Sequence, residues 1–381
     1  MTKKMITFIQ KMDLPHDLII YDIISRLPIK SILQFKSVSK QWYFSLSSSN
    51  FGNTHFKLSP IYHQFPPVNC VFIQSGNDYF LYSFDEDVEK CDISASYEKG
   101  LFQLDIDFDG LFKDDEIIVV GSCNGLLLLL HSLLSYLIIW NPIVKKWSKF
   151  SYPLLKSCKN CAWGFGYVTS IDDYKVVRIS QVEENILVHV FSLRTQKWKQ
   201  IYDDKLDDFI FTLHSMPCLA GVLINETLYW IMNKRGGSQG IFGFDLASER
   251  FNEIRGLIPG DAYLSSFRFL GCMGGFLAMV RFTNRGDVSI SILKHNGQIE
   301  YIGLYRDMDL RSCCAVFGFS KAGKFLIQSS DHELGLVDLS SSPKEYTRLV
   351  KFNEQRSIRV LSYTPSLISP DSEDVRCVPE L

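Results

Sequence analysis

Three stretches of eleven residues align without a gap and decide the architecture of most of this chain. They read LIIWNPIVKKW (137–147), VHVFSLRTQKW (188–198) and IFGFDLASERF (241–251). Each contains an apolar run, a four-residue turn, a basic residue and a large aromatic residue. Runs rich in β-branched and aromatic residues that are bounded by turn residues are typical of β-strands. Each copy therefore predicts a strand, a tight turn and a second strand.

Looser copies of the same unit extend this pattern along the chain. Two of them end at Tyr301 and Tyr346, and residues 80–85 form a degenerate first copy. The apolar residue before each turn serves as an anchor, and successive anchors lie 45 to 56 residues apart. These anchors are Phe84, Trp140, Phe191, Phe244, Ile292 and Val337. A period of about 50 residues is that of kelch-like propeller blades.

A second tight turn precedes each of the full copies and several of the looser ones. Examples are Asn124-Gly125, Asp172-Asp173, Asn225-Glu226 and Gly274-Gly275. Gly, Asn and Asp tolerate the positive φ angles that hairpin turns require. Two hairpins per copy predict a four-stranded antiparallel blade, and about six such blades account for the repeats.

A strand beyond the sixth copy, Ile358–Tyr363, is expected to pair with the first blade and close the ring, which hides exposed strand edges. The aromatic residues that end the three clearest copies are expected to pack between neighbouring blades and not to bind a ligand. These residues are Trp147, Trp198 and Phe251.

The first fifty residues follow a different, helical period. Apolar residues recur at intervals of three and four from Leu18 to Leu27, Pro28 ends this set, and two further apolar sets follow it. Three short helices of about 40 residues cannot bury enough surface for a stable core, so we expect the unit to complete its core against a partner helix. The alternative is a helical cap on the following domain, with Phe35 and Trp42 as ordinary core residues.

The elements Leu14-Pro15, Leu27–Ser31, Phe35–Lys40 and Trp42, in this order, resemble an F-box of the plant type. The resemblance implies docking onto a Skp-type adaptor, which links the chain to a cullin scaffold. The adaptor-binding residues that it implies are Leu14, Pro15, Ile23, Leu27, Pro28, Leu33, Phe35, Val38 and Trp42. One departure is that the spacing from Leu14 to Leu27 is about one residue longer than in the commonest form of the motif.

The remainder resembles the F-box-associated region of plant receptor proteins. The residues that carry this resemblance are Gly121–Leu126, Trp140–Pro142, Gly164–Tyr167, Asp173–Val177, Val222–Trp230 and Tyr363–Leu367. Together the two resemblances imply an α+β multidomain chain. Its parts are a three-helix F-box at 12–52, a linker at 53–67, an all-β kelch-like propeller at 68–365 and a disordered tail at 366–381.

The implied function is that of a substrate-recognition subunit of an SCF-type (Skp-cullin-F-box) E3 ubiquitin ligase, with an unknown target protein on the propeller. The alternatives are a ubiquitin-independent propeller scaffold for proteins or glycans, and a propeller enzyme. We expect the target to contact the connections near 203–215, 232–240, 259–268 and 305–313, because these are long and mix charged with aromatic residues.

Composition argues against several other classes of protein. The formal charge of -2 gives no general attraction to nucleic acid, and the most apolar window, 125–140, is too short for a membrane span. Ten scattered cysteines are typical of reduced thiols in the cytoplasm or nucleus, and a secretory signal is not expected. Cys158 and Cys161 have metal-ligand spacing but no second pair of ligands nearby.

Enzyme motifs are also missing from the sequence. It contains no P-loop, no dinucleotide-binding glycine motif, no Gly-x-Ser-x-Gly elbow and no His-Glu-x-x-His pair. The eight histidines are dispersed, and the acidic runs at 105–116 and 203–208 lack the spacing of a calcium loop. We therefore expect a non-catalytic protein without a cofactor or a bound metal.

Overall fold

A computed structural model of the chain shows a small helical domain and a six-bladed β-propeller. It describes residues 15–58, 70–83, 101–104, 117–131, 136–152, 160–182, 185–203, 206, 209–210, 218–235, 239–254, 266–282, 288–294, 297–305, 315–319, 324–330, 333–338, 345–352 and 358–370. The expected combination of short helices and four-stranded blades is confirmed.

Four helical segments make up the small domain. The first, α1, has a wide π-helical part, Leu18–Ile23, followed by a tight 3₁₀ turn, Ile24–Arg26. The others are α2 (Ile29–Phe35), α3 (Lys40–Ser47) and α4 (Ser49–Leu58).

The wide part of α1 accounts for the unusual spacing in the sequence. The N–H of Ile24 donates a hydrogen bond to the carbonyl of Ile19, five residues earlier. A π-helical turn holds one more residue than an α-helical turn. The wide turn of α1 therefore accommodates the one extra residue between Leu14 and Leu27.

Polar side chains and a proline separate the helices. Pro28 lies in extended conformation just before α2, where its missing N–H costs nothing. The Ser39 hydroxyl accepts a hydrogen bond from the N–H of Trp42 (3.2 Å), and the Ser48 hydroxyl accepts one from Phe51 (3.2 Å). Both serines thus cap the N-termini of the helices that follow them.

Six sheets form the propeller. Blade 1 consists of β26 (Ile358–Ser362), β1 (Cys70–Ser75), β2 (Asp78–Ser83) and β3 (Leu101–Gln103). Blade 2 consists of β4 (Ile117–Cys123), β5 (Leu126–His131), β6 (Tyr136–Asn141) and β7 (Lys146–Ser151). Blade 3 consists of β8 (Asn160–Val168), β9 (Asp173–Val182), β10 (Asn185–Ser192) and β11 (Lys197–Ile201).

The other three blades follow in chain order. Blade 4 has β14 (Val222–Ile224), β15 (Thr227–Lys234), β16 (Gln239–Asp245) and β17 (Arg250–Ile254). Blade 5 has β18 (Ser266–Met273), β19 (Phe276–Phe282), β20 (Val288–Leu293) and β21 (Ile299–Tyr305). Blade 6 has β22 (Ala315–Phe319), β23 (Phe325–Ser330), β24 (Glu333–Asp338) and β25 (Glu345–Lys351).

The first strand of blade 4 departs from the repeat. The short β14 pairs with the start of β15, while a separate strand, β12 (Phe209–Ile210), pairs with its end. A third strand, β13 (Cys218–Ala220), runs parallel to β8 of blade 3. The chain thus links blades 3 and 4 by hydrogen bonds as well as by side-chain packing.

Strand register confirms the repeat read from the sequence. The anchor and the terminal aromatic residue of each clear copy are direct partners across a strand pair: Trp140 with Trp147, Phe191 with Trp198, and Phe244 with Phe251. Trp147 and Trp198 pack against apolar clusters shared by two blades, and Phe251 is buried in another. Their expected position between blades is confirmed.

The last strand closes the ring. Strand β26 pairs antiparallel with β1, with Phe72 opposite Leu361, so the first blade contains both ends of the propeller. This confirms the closure expected for Ile358–Tyr363, and it covers the edge of β1 that the chain would otherwise leave open.

Two predicted boundaries need correction. Helix α4 runs to Leu58, so the first part of the expected linker at 53–67 is helical. Residues 366–370 are not a disordered tail, because Ser366, Leu367 and Ile368 are buried where the helical domain meets the propeller. Residues 59–69 and 371–381 lie outside the described part of the chain.

Candidate protein-binding surfaces

The helical domain carries an unusual share of exposed apolar surface. Among the described residues, ten large apolar side chains are exposed, and five of these lie in the four short helices although the propeller is far larger. The five are Leu18, Leu33, Tyr43, Phe44 and Leu58. The rings of Tyr43 and Phe44 lie side by side, with centroids 5.7 Å apart, and adjoining exposed apolar side chains are typical of protein-binding sites.

The structure divides the nine predicted adaptor-binding residues by exposure. Leu14 lies outside the described residues. The exposed members are Pro15, Pro28 and Leu33. The partly buried members are Ile23, Leu27, Val38 and Trp42. Phe35 is only 2% exposed.

Phe35 and Trp42 belong to the internal core of the helical domain. Their ring centroids lie 5.6 Å apart, and they pack with the buried Ile20, Ile24 and Leu46. Phe35 therefore supports the surface from inside, whereas Trp42 is only partly buried and keeps an exposed edge. Direct contact with a partner is open only to the exposed members and to the outer edges of the partly buried ones.

Four exposed apolar residues, Leu18, Tyr43, Phe44 and Leu58, are absent from the predicted adaptor-binding set. The helical period predicts that Leu18 lies on the apolar face of the first helix, but Leu18 is exposed, whereas Ile19 and Ile20 beside it are buried in the π-helical turn. Tyr43 and Phe44 follow Trp42 directly, and consecutive helical residues point about 100° apart. This spacing shows that the three aromatic rings cannot all face the core, and Phe44 is 70% exposed.

A shallow apolar cleft lies where α2 meets the propeller. Its volume is about 530 Å³, and its lining consists of Ile29, Lys30, Leu33, Gln34, Ile143 and Pro365. Leu33 is therefore part of both the exposed helical surface and this cleft. The apolar surface of α2 continues onto the turn after β6 and onto the segment after β26.

The helical domain is positively charged. Its described residues include five lysines or arginines, Arg26, Lys30, Lys36, Lys40 and Lys57, against the two acidic residues Asp17 and Asp22. Burial, together with the nearby Lys146, lowers the pKa of Lys36. A partner with acidic side chains around an apolar patch would complement this surface.

The two faces of the propeller differ. In blades 2, 3 and 4 the connections between the first and second strands and between the third and fourth strands are tight turns on one face, which we call the tight-turn face. The helical domain sits on this face, where Lys57 forms a 3.8 Å ion pair with Asp172. Tyr363 and Ser366 also reach tight turns there, at Gly125 and Asn124.

The other ends of the strands lie on the opposite face, which we call the far face. Because neighbouring strands in a blade are antiparallel, β11, β15 and β21 all end there, at Ile201, Lys234 and Tyr305. These strand ends lead into three of the four connections proposed for target binding, and β18 begins at the fourth. Most of residues 203–215, 259–268 and 305–313, and residues 236–238 of the connection 232–240, lie outside the described part of the chain.

Charged side chains inside the propeller link neighbouring blades. Lys175 of blade 3 is buried and donates hydrogen bonds to the carbonyl of Leu246 (2.6 Å) and to the Glu249 carboxylate (2.9 Å) of blade 4. Burial alone would raise the pKa of Glu249, but hydrogen bonds from Lys199 and Lys175 outweigh it and lower the pKa. The geometry is that of a structural bridge between blades.

The described residues show no grouping of three or more His, Cys, Asp or Glu side chains that could hold a metal ion. Cys158, one of the two cysteines with metal-ligand spacing, lies outside the described part. Asp203 instead accepts a hydrogen bond from the N–H of Phe251 (3.2 Å). Within the described ranges, no helix has the length and apolar character needed to span a membrane.

Comparison with known proteins gives two family matches. The F-box domain matches residues 12–54, and the F-box associated beta propeller domain matches residues 73–370. The chain is 25% identical over 297 residues to an F-box/kelch-repeat protein of Arabidopsis thaliana, covering 75% of this chain and 78% of the relative. A second F-box/kelch-repeat protein of that plant is 23% identical over 258 residues, covering 64% of this chain and 60% of the relative.

Among solved structures, TolB from Acinetobacter baumannii is similar, with 11% identity and a TM-score of 0.45. The alignment covers 83% of this chain and 73% of that chain. A similarity at this level says nothing about function.

Proposed function

The chain belongs to the plant F-box proteins with an F-box-associated β-propeller domain, and on this basis we propose that it is the substrate-recognition subunit of an SCF-type E3 ubiquitin ligase. In this role the F-box binds a Skp-type adaptor, the adaptor binds a cullin, and the propeller holds a target protein. The observation that carries the proposal is the exposed apolar surface on the F-box helices, which lies within the matched F-box region.

The adaptor surface centres on exposed side chains of α1 and α2. Pro15, Leu18, Pro28 and Leu33 leave apolar area uncovered, and Lys30 lies beside Leu33 in the lining of the cleft. A domain of this size buries too little surface to be stable alone, so additional burial against a partner stabilises it. Phe35 acts from inside by packing against Trp42 and so holding α2 and α3 together, and the exposed edge of Trp42 remains available to the adaptor.

The target surface lies on the far face of the propeller. The F-box occupies the tight-turn face, so a target on the far face does not compete with the adaptor for space. The long connections that lead from the far strand ends carry charged and aromatic residues, and connections on a rigid scaffold are where recognition residues are usually found.

The mechanism is proximity and not catalysis by this chain. One module binds the ligase scaffold and the other binds the target, which raises the effective concentration of target lysines near a conjugating enzyme. No cofactor or metal is needed for this role. The proposal places the protein in the cytoplasm or nucleus, where ubiquitin ligases and their targets meet.

Co-purification of the full chain with a Skp-type adaptor tests the adaptor part of this proposal. We expect a stable one-to-one complex on size-exclusion chromatography. A folded chain that elutes alone at micromolar concentrations of both proteins would refute it, and would favour a propeller scaffold without a link to ubiquitin.

Exchange of the far-face connections tests the target part. Replacing residues 211–215 and 259–263 with Gly-Ser segments of equal length should abolish capture of target proteins while adaptor binding continues. Unchanged capture would show that the target binds elsewhere on the chain.

A further inference from the structure

Residues Tyr363–Pro370, which we call the C-terminal strap, cross from the ring-closing strand β26 to the F-box. Tyr363, Ser366, Leu367 and Ile368 are all buried, although the strap has no helix or strand of its own. A segment without regular structure stays buried only when other groups satisfy its backbone. The strap therefore depends on partners in the propeller and in the F-box.

The main partner of the strap in the propeller is Asn141, at the end of β6. The Asn141 side chain is fully buried, and its amide nitrogen donates to the carbonyls of Ile368 (2.7 Å) and Ser366 (3.1 Å). The amide oxygen accepts a hydrogen bond from the N–H of Ile143 (2.9 Å), which caps the local turn.

Equivalent positions in the next two blades show what is particular to Asn141. Ser192 in blade 3 caps its own turn by accepting from the N–H of Thr195 (3.1 Å), and Asp245 in blade 4 accepts from Ser248 (2.6 Å). A hydroxyl or a carboxylate is therefore sufficient for the turn. Only the amide combines this acceptor with two N–H donors directed at carbonyls of the strap.

The neighbouring tight turn of blade 2 holds the strap as well. The Ser366 hydroxyl donates to the carbonyl of Asn124 (2.6 Å), and the Tyr363 hydroxyl donates to the carbonyl of Gly125 (3.1 Å). Gly125 has a φ of +80°, and a Cβ there would lie 2.3 Å from the Ser366 oxygen. Glycine is thus required at this turn for conformation and for space.

The strap also packs closely against the F-box. The Leu367 side chain belongs to the core of the helical domain, beside Phe51 of α4. Ile368 joins the apolar cluster between blades 2 and 3, which also takes in Phe56 of α4. At Gly52, between these two contacts, a Cβ would lie only 2.4 Å from the carbonyl oxygen of Leu367.

We propose that the strap is a clamp that fixes the F-box in one orientation on the propeller, with Asn141 as its anchor and Leu367 as the residue that completes the F-box core. Asn141 is then a positioning residue for the ligase, because it sets the geometry between adaptor and target without contacting either. The positioning role of Asn141 rests on the proposed function, whereas the clamp between the F-box and the propeller does not.

Asn141→Ser tests the anchor. It keeps an acceptor for the turn, as Ser192 does in blade 3, but removes both donors to the strap. We expect the backbone amides of α4 and of residues 366–368 to exchange hydrogen at least about tenfold faster, since each donor lost leaves a buried carbonyl unsatisfied. Amides of β19, in blade 5, should exchange at the wild-type rate.

Asp245→Ser is the matched control, because it makes the same kind of change at the equivalent turn of blade 4, away from the strap. It should leave exchange in α4 unchanged. If α4 exchanges at the wild-type rate in folded Asn141→Ser, or equally fast in both variants, the clamp is refuted.

Gly52→Ala tests the F-box side without altering the propeller. Alanine is a better helix former than glycine, so α4 alone would gain stability from this change. In the folded chain, however, the added methyl group displaces the Leu367 carbonyl. The clamp therefore predicts faster hydrogen exchange at the backbone amides of residues 366–368. Asn53→Ala, at the exposed neighbouring position, is the control, and slower or unchanged exchange of the strap in Gly52→Ala would count against the clamp.

Adaptor binding separates the two proposals. With the clamp loosened, the F-box surface still exists, so we expect Asn141→Ser to bind a Skp-type adaptor within a few-fold of the wild-type affinity. Failure of the wild-type chain to bind the adaptor would refute the proposed function and leave the exchange result to decide the clamp.

Discussion

Replacement of Leu33 by aspartate is the sharpest test of the adaptor surface. Leu33 lies on α2 and is 38% exposed, so a large part of its side chain remains to be buried by a partner. Full burial of a leucine is worth about 1.5–3 kcal/mol, so the uncovered part corresponds to about 1 kcal/mol. A carboxylate left unpaired in an apolar contact costs at least about 2 kcal/mol more. The sum, about 3 kcal/mol, corresponds to a loss of adaptor affinity of about 100-fold.

Two further variants show whether such a loss is local. Ile299→Asp changes an apolar residue of blade 5 with nearly the same exposure, 37%, and should leave adaptor affinity unchanged. Phe35→Ala removes a buried ring and should destabilise the F-box by about 3–5 kcal/mol, so that binding is lost through unfolding. Titration calorimetry with the adaptor gives the affinities, and thermal denaturation shows which variants remain folded.

The surface assignment fails under either of two results. One is wild-type affinity in a folded Leu33→Asp chain. The other is a loss of affinity in Leu33→Asp that merely follows its loss of thermal stability, because Leu33 would then act, like Phe35, as a core residue.

Three other predictions concern stability. Burial lowers the pKa of His55 despite its 3.0 Å hydrogen bond to the Leu27 carbonyl, and burial together with Arg178 lowers that of His189. The unfolded chain therefore binds more protons below about pH 6.5, so the thermal midpoint should fall as the pH drops from 7.5 to 5.5, and a flat profile would contradict this. Removing every residue after Lys351 deletes β26 and uncovers the edge of β1, so the protein should aggregate on size-exclusion chromatography. A monodisperse, stable product would show that the propeller does not need β26 to close the ring. Glu249→Gln weakens the bridge to the buried Lys175, so it should lower the free energy of unfolding in urea by about 2–3 kcal/mol. A loss below about 0.5 kcal/mol would mean that the hydrogen bond to the Leu246 carbonyl is enough to stabilise Lys175.

The propeller could be predicted from sequence because its signals are local and repeated. The strand, turn and aromatic residue of each clear copy occur in order, and the same positions recur as direct partners, as in Trp140 with Trp147. The turns also repeat: Lys145, Gln196 and Glu249 occupy equivalent positions and all have positive φ. A feature that returns with each blade is visible even in a single sequence.

The features that were not predicted depend on contacts between distant parts of the chain. Helix α4 contains Gly52 and two asparagines, which are poor helix formers, and it exists because Phe51, His55 and Phe56 are buried. The strap contains a short apolar pair near the chain end, where disorder is the usual expectation. Its order depends on distant partners, such as the side chain of Asn141, which lies 225 residues before Ser366 in the chain.

The sequence predicts a set of apolar adaptor-binding residues, but it does not predict which of them are exposed. A helical period identifies apolar positions, but it cannot tell a side chain that faces a partner from one that faces the core. In a domain this small both kinds are apolar, so Phe35 and Leu33 look alike in the sequence. The π-helical turn adds to the difficulty, because it shifts the buried face to Ile19 and Ile20 and leaves Leu18 exposed.

One segment of chain closes the propeller and also completes the F-box. Strand β26 pairs with the first blade, and Leu367, a few residues later, fills the F-box core. A receptor that acts by proximity benefits from a stiff joint, because a flexible one spreads the target over a larger volume and lowers its effective concentration near the conjugating enzyme. Because Leu367 follows the ring-closing strand β26 within a few residues along the chain, the pairing of β26 with β1 holds Leu367 close to the F-box core.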